Sequence, residues 1–230
     1  GEEGGEGSSY QAQIASDRAK YGPMIQDMAS QVASFSTDRP SHLSTFVEEL
    51  DRRLLLLSDE RGVLAGFPDW PSEKVSAMRQ AAARSREMAS LFTSLDTALW
   101  EPRLSILDEL HKTEEVFLRA RAAAEWHAQR GGDLRARWGG MGIPFDFESV
   151  TWVQQGTVGL AKHAMELALT AGSRLRLERS SGADVSNAAE AKVRAVGDTA
   201  LRLSFKCHQV AGGFDPEASG MFSELHGMVL

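Results

Sequence analysis

Leu43, Phe46, Val47, Leu50, Leu54 and Leu57 recur every three or four residues, the spacing that brings all six onto one face of an α-helix. The same period returns along almost the whole chain, and it limits the possible folds more than any other feature. Val75, Met78, Ala82, Met88, Leu91 and Leu95 form a second stripe; Leu104, Leu107, Leu110, Val116, Leu118 and Trp126 supply the apolar content of a later, longer helix. Strand-like alternation is confined to a few residues around Arg174 and Leu177, inside a helical pattern. An all-α chain is the result, with no repeat of fixed period.

Glycine, proline and capping residues divide the pattern. Residues 1–9, rich in glycine, glutamate and serine, read as a flexible linker, and residues 10–230 as a single all-helical domain. A first helix is expected over about 9–35, interrupted at Gly22-Pro23 because proline has no amide to donate. Ser41 is the expected N-cap of a second helix that ends at Gly66. Phe67-Pro68-Asp69-Trp70-Pro71 then makes a rigid corner, and a third helix runs to about residue 98. Pro102 restarts the chain. A long helix comes next over about 103–130, or on to 138, with Gly131-Gly132 and Gly139-Gly140 as its two candidate ends.

The apolar connector 142–147 leads to a helix over about 149–179. After a turn at Ser180-Ser181-Gly182, another spans about 185–210 and closes on Gly212-Gly213. Asp215-Pro216-Glu217 opens a short last helix: cap, proline in the first turn, then an acid favoured by the helix dipole. Several of these helices exceed the usual three turns or so. Such lengths point to an elongated multi-helix bundle, an architecture that exposes apolar surface to a second copy.

Composition excludes several classes of function. The single cysteine, Cys207, cannot form an internal disulfide or a multi-cysteine zinc site. A formal net charge of −7 argues against general nucleic-acid binding. No apolar run approaches the roughly 20 residues of a membrane span, so no direct membrane insertion is expected. Phosphate-loop, dinucleotide and His-Glu-x-x-His signatures are missing. His111, Glu114 and Glu115 share a helix face, as many solvated helices show, and no metal or cofactor is assigned to them. Cys207 and His208 point about 100° apart on a helix and cannot form a nucleophile–base pair. Cys207 reads as a small buried group, His208 as a polar core or cap residue and His163 as a hydrogen-bonded core histidine. Glu48-Glu49 and Asp59-Glu60 read as solvated faces. No catalytic constellation emerges, so the chain is not expected to be an enzyme.

Two basic clusters stand out against the acidic background. Arg130, Arg135 and Arg137 precede Gly139, and Arg174, Arg176 and Arg179 close a later helix. One reading is charge placement at helix C-termini, which stabilises them modestly. The other is a contact surface for an acidic protein partner.

Certain blocks, taken together, resemble one family. They are Phe46-Val47 with Leu50-Asp51, Ser58-Asp59-Glu60-Arg61-Gly62-Val63-Leu64, and Phe67-Pro68-Asp69-Trp70-Pro71. Gly142-Ile143-Pro144-Phe145-Asp146, Leu160-Ala161-Lys162 and His208-Gln209-Val210-Ala211-Gly212-Gly213-Phe214-Asp215 complete the set. Their order and spacing are similar to the C-terminal domain of the plant chloroplast unusual positioning proteins, over about residues 41–225. Phe147 stands where the family often has tryptophan.

The resemblance implies a helical, dimeric actin-assembly domain, similar in architecture to the actin-nucleating core of formins. Its implied partners are actin, as monomer and filament, and profilin–actin. The whole protein would promote filaments for chloroplast movement and positioning from the cytosolic face of the outer envelope. This fragment would carry only the actin-facing activity. A microtubule-associated or other cytoskeletal scaffold is the alternative. The blocks themselves are expected to be structural. Phe67, Pro68, Trp70 and Pro71 would fix a corner, and Ile143, Pro144 and Phe145 would plug an apolar groove. His208, Gln209, Gly212, Gly213, Phe214 and Asp215 would shape a helix junction. The six arginines are the actin-contact candidates.

Overall fold

The computed structural model describes residues 3–101 and 105–229. Pro102, Arg103 and Leu104, where the chain was expected to restart into the long helix, lie outside the described residues. The elements are α1 (Glu3–Ser34), α2 (Pro40–Leu54), α3 (Glu60–Leu64), α4 (Ser72–Leu95), α5 (Ile106–Gly140), α6 (Ser149–Ser180), α7 (Asn187–Ala211) and α8 (Pro216–Val229). Thr97–Leu99 adds a 3₁₀ turn, and no strand occurs among the described residues. The chain is all-α, as its apolar period dictates. Two compact units form, one from Gly1–Arg86 with Asp133–Asp146, the other from Glu87–Gly132 with Phe147–Leu230. Helices α4 and α5 each contribute to both.

In the first unit, α1 buries Ile14, Asp17, Ile25, Met28 and Val32 along one face. It begins at Glu3, so the segment read as a linker is helical from there. It also runs through Pro23 without the expected interruption. Pro23 and Ala19 lie on the exposed face, where water can serve the carbonyl that proline leaves without a donor. Helix α2 starts at Pro40 with Arg39 as N-cap, in place of the expected Ser41, because proline at the first helical position is already preset for it.

Helix α2 does not continue to Gly66. It stops at Leu54 because distant groups capture the next stretch of chain. The carboxylate of Asp17 accepts from the Ser58 amide at 2.7 Å and from its hydroxyl at 2.6 Å. Asp59 caps α3 through the Gly62 amide at 3.1 Å. Arg18 donates to the carbonyls of Gly62 (2.7 Å) and Val63 (3.1 Å) on the same short helix. Arg79 joins Asp51 at 2.7 Å to Glu60 at 2.8 Å. Asp59 and Glu60 are therefore bound structural groups, not a solvated face, and Glu49 likewise holds Arg52 and Arg53.

In the second unit, α6, α7 and α8 pack together with the first half of α5. Phe117, Leu160, Met165, Leu203, Cys207 and Leu225 belong to the common core. Helix α5 passes straight through Gly131-Gly132 and ends at Gly140. His163 Nε2 lies 2.9 Å from Glu109 Oε2 and meets the Trp100 ring edge-on at 5.0 Å. Cys207 is buried, and burial pushes its thiol up to about 12, which keeps it protonated and inert.

Candidate protein-binding surface

Helix α8 has 14 residues, against 32 in α6 and 25 in α7. At 1.5 Å per residue it spans about 21 Å, well short of the other two. Its start is fixed by Asp215, which accepts from the Ala218 amide at 2.8 Å and pairs with Lys162 of α6 at 2.8 Å. Lys162 also reaches Glu217 at 2.6 Å. The Ala218 amide, and after it the Lys162 ammonium, holds the Asp215 carboxyl below the ordinary range. At the other end, Met228 and Val229 lie against two glycines. A β-carbon at Gly172 of α6 would overlap Met228 Sδ, and one at Gly197 of α7 would sit 2.6 Å from Val229 Cγ2. Glycine at these two positions is what lets α8 approach so closely.

Beside Gly227, Met228 and Val229 the seam between α6 and α7 holds a groove of about 350 Å³. Both walls keep the helical period. On α6, Gly172, Leu175, Arg176 and Arg179 occupy one face; on α7, Glu190, Val193, Arg194 and Gly197 do the same. The glycines seat α8, and the remaining positions are left to the groove. Arg179 pairs with Glu190. Arg176 makes only a long contact, 3.5 Å, to its neighbour Ser173 Oγ. Among the described residues Arg194 has no ion pair. Two cations thus face an apolar floor of Leu175, Val193 and Met228 with one acid already engaged.

The structure separates the six arginines singled out by sequence. Arg176 and Arg179 line the groove; Arg174 is exposed on α6 outside it, near Leu177, itself 70% exposed. Arg130 is exposed in the part of α5 that belongs to the second unit. Arg135 and Arg137 lie in the first, where Arg137 pairs with Glu73 at 2.8 Å. Arg194 was not among the sequence candidates. The signal for it was the face shared by Glu190, Val193, Arg194 and Gly197.

The signature blocks occupy corners. Trp70 is buried, its amide bound to the Phe67 carbonyl at 3.0 Å, and the Pro71 carbonyl accepts from Val75 at 3.0 Å to start α4. Phe67 is half-buried and Pro68 exposed. One groove of about 720 Å³ and another of about 480 Å³ share Trp70 as a wall. Ile143 is buried, and Phe145 meets the Trp138 ring edge-on at 5.6 Å. Pro144 is half-buried between them. Gly142 turns at φ +68°, and its carbonyl accepts from the Thr37 amide at 3.2 Å.

Gly212 (φ +77°) ends α7 in the left-handed conformation. The amides of Gly212 and Gly213 both reach the His208 carbonyl. His208 is exposed in the last turn of α7, which fits the helix-end reading and not the core one. Its ring stacks near Phe205 at 6.5 Å and meets Phe214 edge-on at 4.9 Å, which holds it on the surface of the α7–α8 corner. Gln209 is exposed beside it.

No family model matches the chain. A protein of Arabidopsis thaliana, Uncharacterized protein At4g04980, is 28% identical to it over 222 residues. The match covers 95% of this chain and 30% of that protein, so the chain spans less than a third of the relative's length.

Proposed function

We propose that this chain is a protein-binding module that acts on actin, holding subunits so that new filaments start more readily. The observation that carries the reading is an arginine-lined groove on a chain whose net charge is −7. A basic groove on an acidic protein is a local device for an acidic partner, and actin is acidic. The signature blocks support the same reading, since they resemble the actin-assembly domain of the chloroplast unusual positioning proteins and are spent on corners and caps. The working part is then the surface between them, and the chain works by binding rather than by catalysis.

A nucleator must meet the entropic cost of the first actin contacts, and two linked sites do so through effective concentration. The reading therefore includes a homodimer, which presents the groove twice about a two-fold axis. Profilin–actin is the monomer source it would draw on, and the outer chloroplast envelope the place where the whole protein would act.

Polymerisation of fluorescent actin with the purified chain, with and without profilin, tests the proposal. The expected result is a shorter lag that depends on chain concentration. No acceleration, binding or capping at micromolar chain sinks it. Co-sedimentation with microtubules and not with actin moves the assignment to the other filament.

A further inference from the structure

In the second unit the end of α4 touches the first half of α6. A β-carbon at Gly156 would sit 2.9 Å from Leu95 Cδ1. Further along, His163 meets the Trp100 ring at 5.0 Å, so the two stretches of chain run in the same sense. Trp152 stands one turn before Gly156 on the same face of α6, and Phe92 stands three residues before Leu95 on α4. The two rings therefore flank one seam. They are 65% and 42% exposed, and Trp152 is the most exposed aromatic residue among those described.

The surroundings of these rings lack charge. Residues 88–95 and 149–161 contain no Asp, Glu, Lys or Arg, in a chain that is 25% charged. Ala89, Thr93, Thr151 and Gln155 are the exposed positions beside the rings. Charges resume on either side, at Glu87 and Asp96 and at Glu148 and Lys162. Such a face cannot select a partner by charge. An acidic protein is met by arginines and a basic one by carboxylates, and neither is offered here. A second copy fits it. Two chains of −7 repel each other where their charged surfaces meet, and a neutral face lets them close without opposing like charges. Interface centres have this composition, with rings enriched and charges depleted.

We propose that this neutral α4–α6 face is where two copies of the chain join about a two-fold axis, with Trp152 and Phe92 of each copy packed on those of the other. One patch then serves both copies, as a two-fold contact requires. Asp96 and Glu148 stay at the rim, in water. The inference rests on the homodimer reading above and gives it a surface.

Sedimentation velocity of the full chain tests this. Raising its concentration should shift a particle of 25.1 kDa to one of twice that mass. Raising sodium chloride from about 50 to about 500 mM should tighten the dimer, since salt screens the repulsion of the two acidic bulks and the face has no ion pairs to lose. W152E and F92E should each weaken association about tenfold or more. L177E adds the same charge at another exposed position of α6, away from the face, and should change association by no more than about twofold in about 150 mM salt. All three positions are exposed, so circular dichroism and melting should match the parent. A particle of one chain's mass at every concentration overturns the proposal, and so does association that weakens steadily with salt. Binding of a monomeric parent chain to phosphatidylcholine vesicles, lost in W152E, overturns it in favour of a lipid surface. A dimer indifferent to W152E and F92E sinks the face and leaves the homodimer standing. A monomeric W152E that shortens the actin lag as well as the parent sinks the two-site reading of nucleation and leaves the face standing.

Discussion

Asp17 shows how one side chain sets the path of a distant segment. It is 5% exposed and accepts from the hydroxyl and amide of Ser58, and from Gln13 at 3.1 Å. These bonds, the Ser58 hydroxyl first, hold its carboxyl below the ordinary value. The Tyr10 hydroxyl does the same for Asp59. A carboxyl lowered in the folded state contributes stability that is present above the unfolded value and is lost as pH falls through the folded one. The chain should therefore keep a constant melting temperature from neutrality to about pH 4 and lose stability below it. Asp17→Asn should melt lower at neutral pH and show a shallower acid slope. A variant slope equal to the parent's in thermal denaturation across this range contradicts the assignment. Trp70 acts by volume rather than charge. Its ring is 8% exposed and walls two grooves. Trp70→Ala should cost about 3–5 kcal/mol in denaturant unfolding, and an unchanged midpoint would place the ring on the surface.

The limits of a helix depend on its neighbours in the chain as much as on its own residues, and this decides where the sequence was legible. Gly131-Gly132 and Gly139-Gly140 look alike, yet α5 passes the first pair and stops at the second. After Gly132 come helix formers and the buried anchor Trp138; after Gly140 come Gly142, at positive φ, and Pro144. The stripes of α2 and α4 and the caps of α7 and α8 rest on local chemistry and were readable, whereas in α5 Leu107 and Leu118 are exposed and Phe117, Ala120 and Ala123 join Leu110 and Val116 in the core. The break after Leu54 depends on the contact of Asp17 with Ser58, far apart in sequence, and no periodicity reports it. Arg194 was hidden for a related reason: the sequence shows clusters along one helix, whereas the groove is made across two.

The glycines test this picture. A β-carbon at Gly132 meets nothing within 4 Å, so Gly132→Ala should stabilise the chain by about 0.5–1 kcal/mol through helix propensity. At Gly197 the new methyl meets the β-branched Val229, which has few rotamers to escape into. Gly197→Ala should destabilise by about 1–3 kcal/mol. Opposite signs in chemical denaturation are expected, and the same sign for both would mean that α8 is not seated on Gly197.

At the scale of the whole molecule, the groove and the net charge act in opposition. A chain of −7 and an acidic protein repel each other over distances longer than the groove. The attraction of Arg176 and Arg194 is short-ranged and works only near contact. Salt weakens the two at different rates. At about 10 mM ionic strength the screening length is about 30 Å and the overall repulsion is felt; near 150 mM it is about 8 Å and mainly the local pairs remain. Association with a whole acidic partner should therefore quicken as salt is first added, then affinity should fall as the arginine pairs are screened. Stopped-flow mixing with actin monomers across about 10–300 mM potassium chloride should give an association rate that passes through a maximum. R176E/R194E removes the attractive branch, so its slow association should only rise toward a plateau as repulsion is screened. A monotonic fall in the parent chain would mean that local attraction governs the encounter from the lowest salt upward and that the acidic bulk plays no part in it.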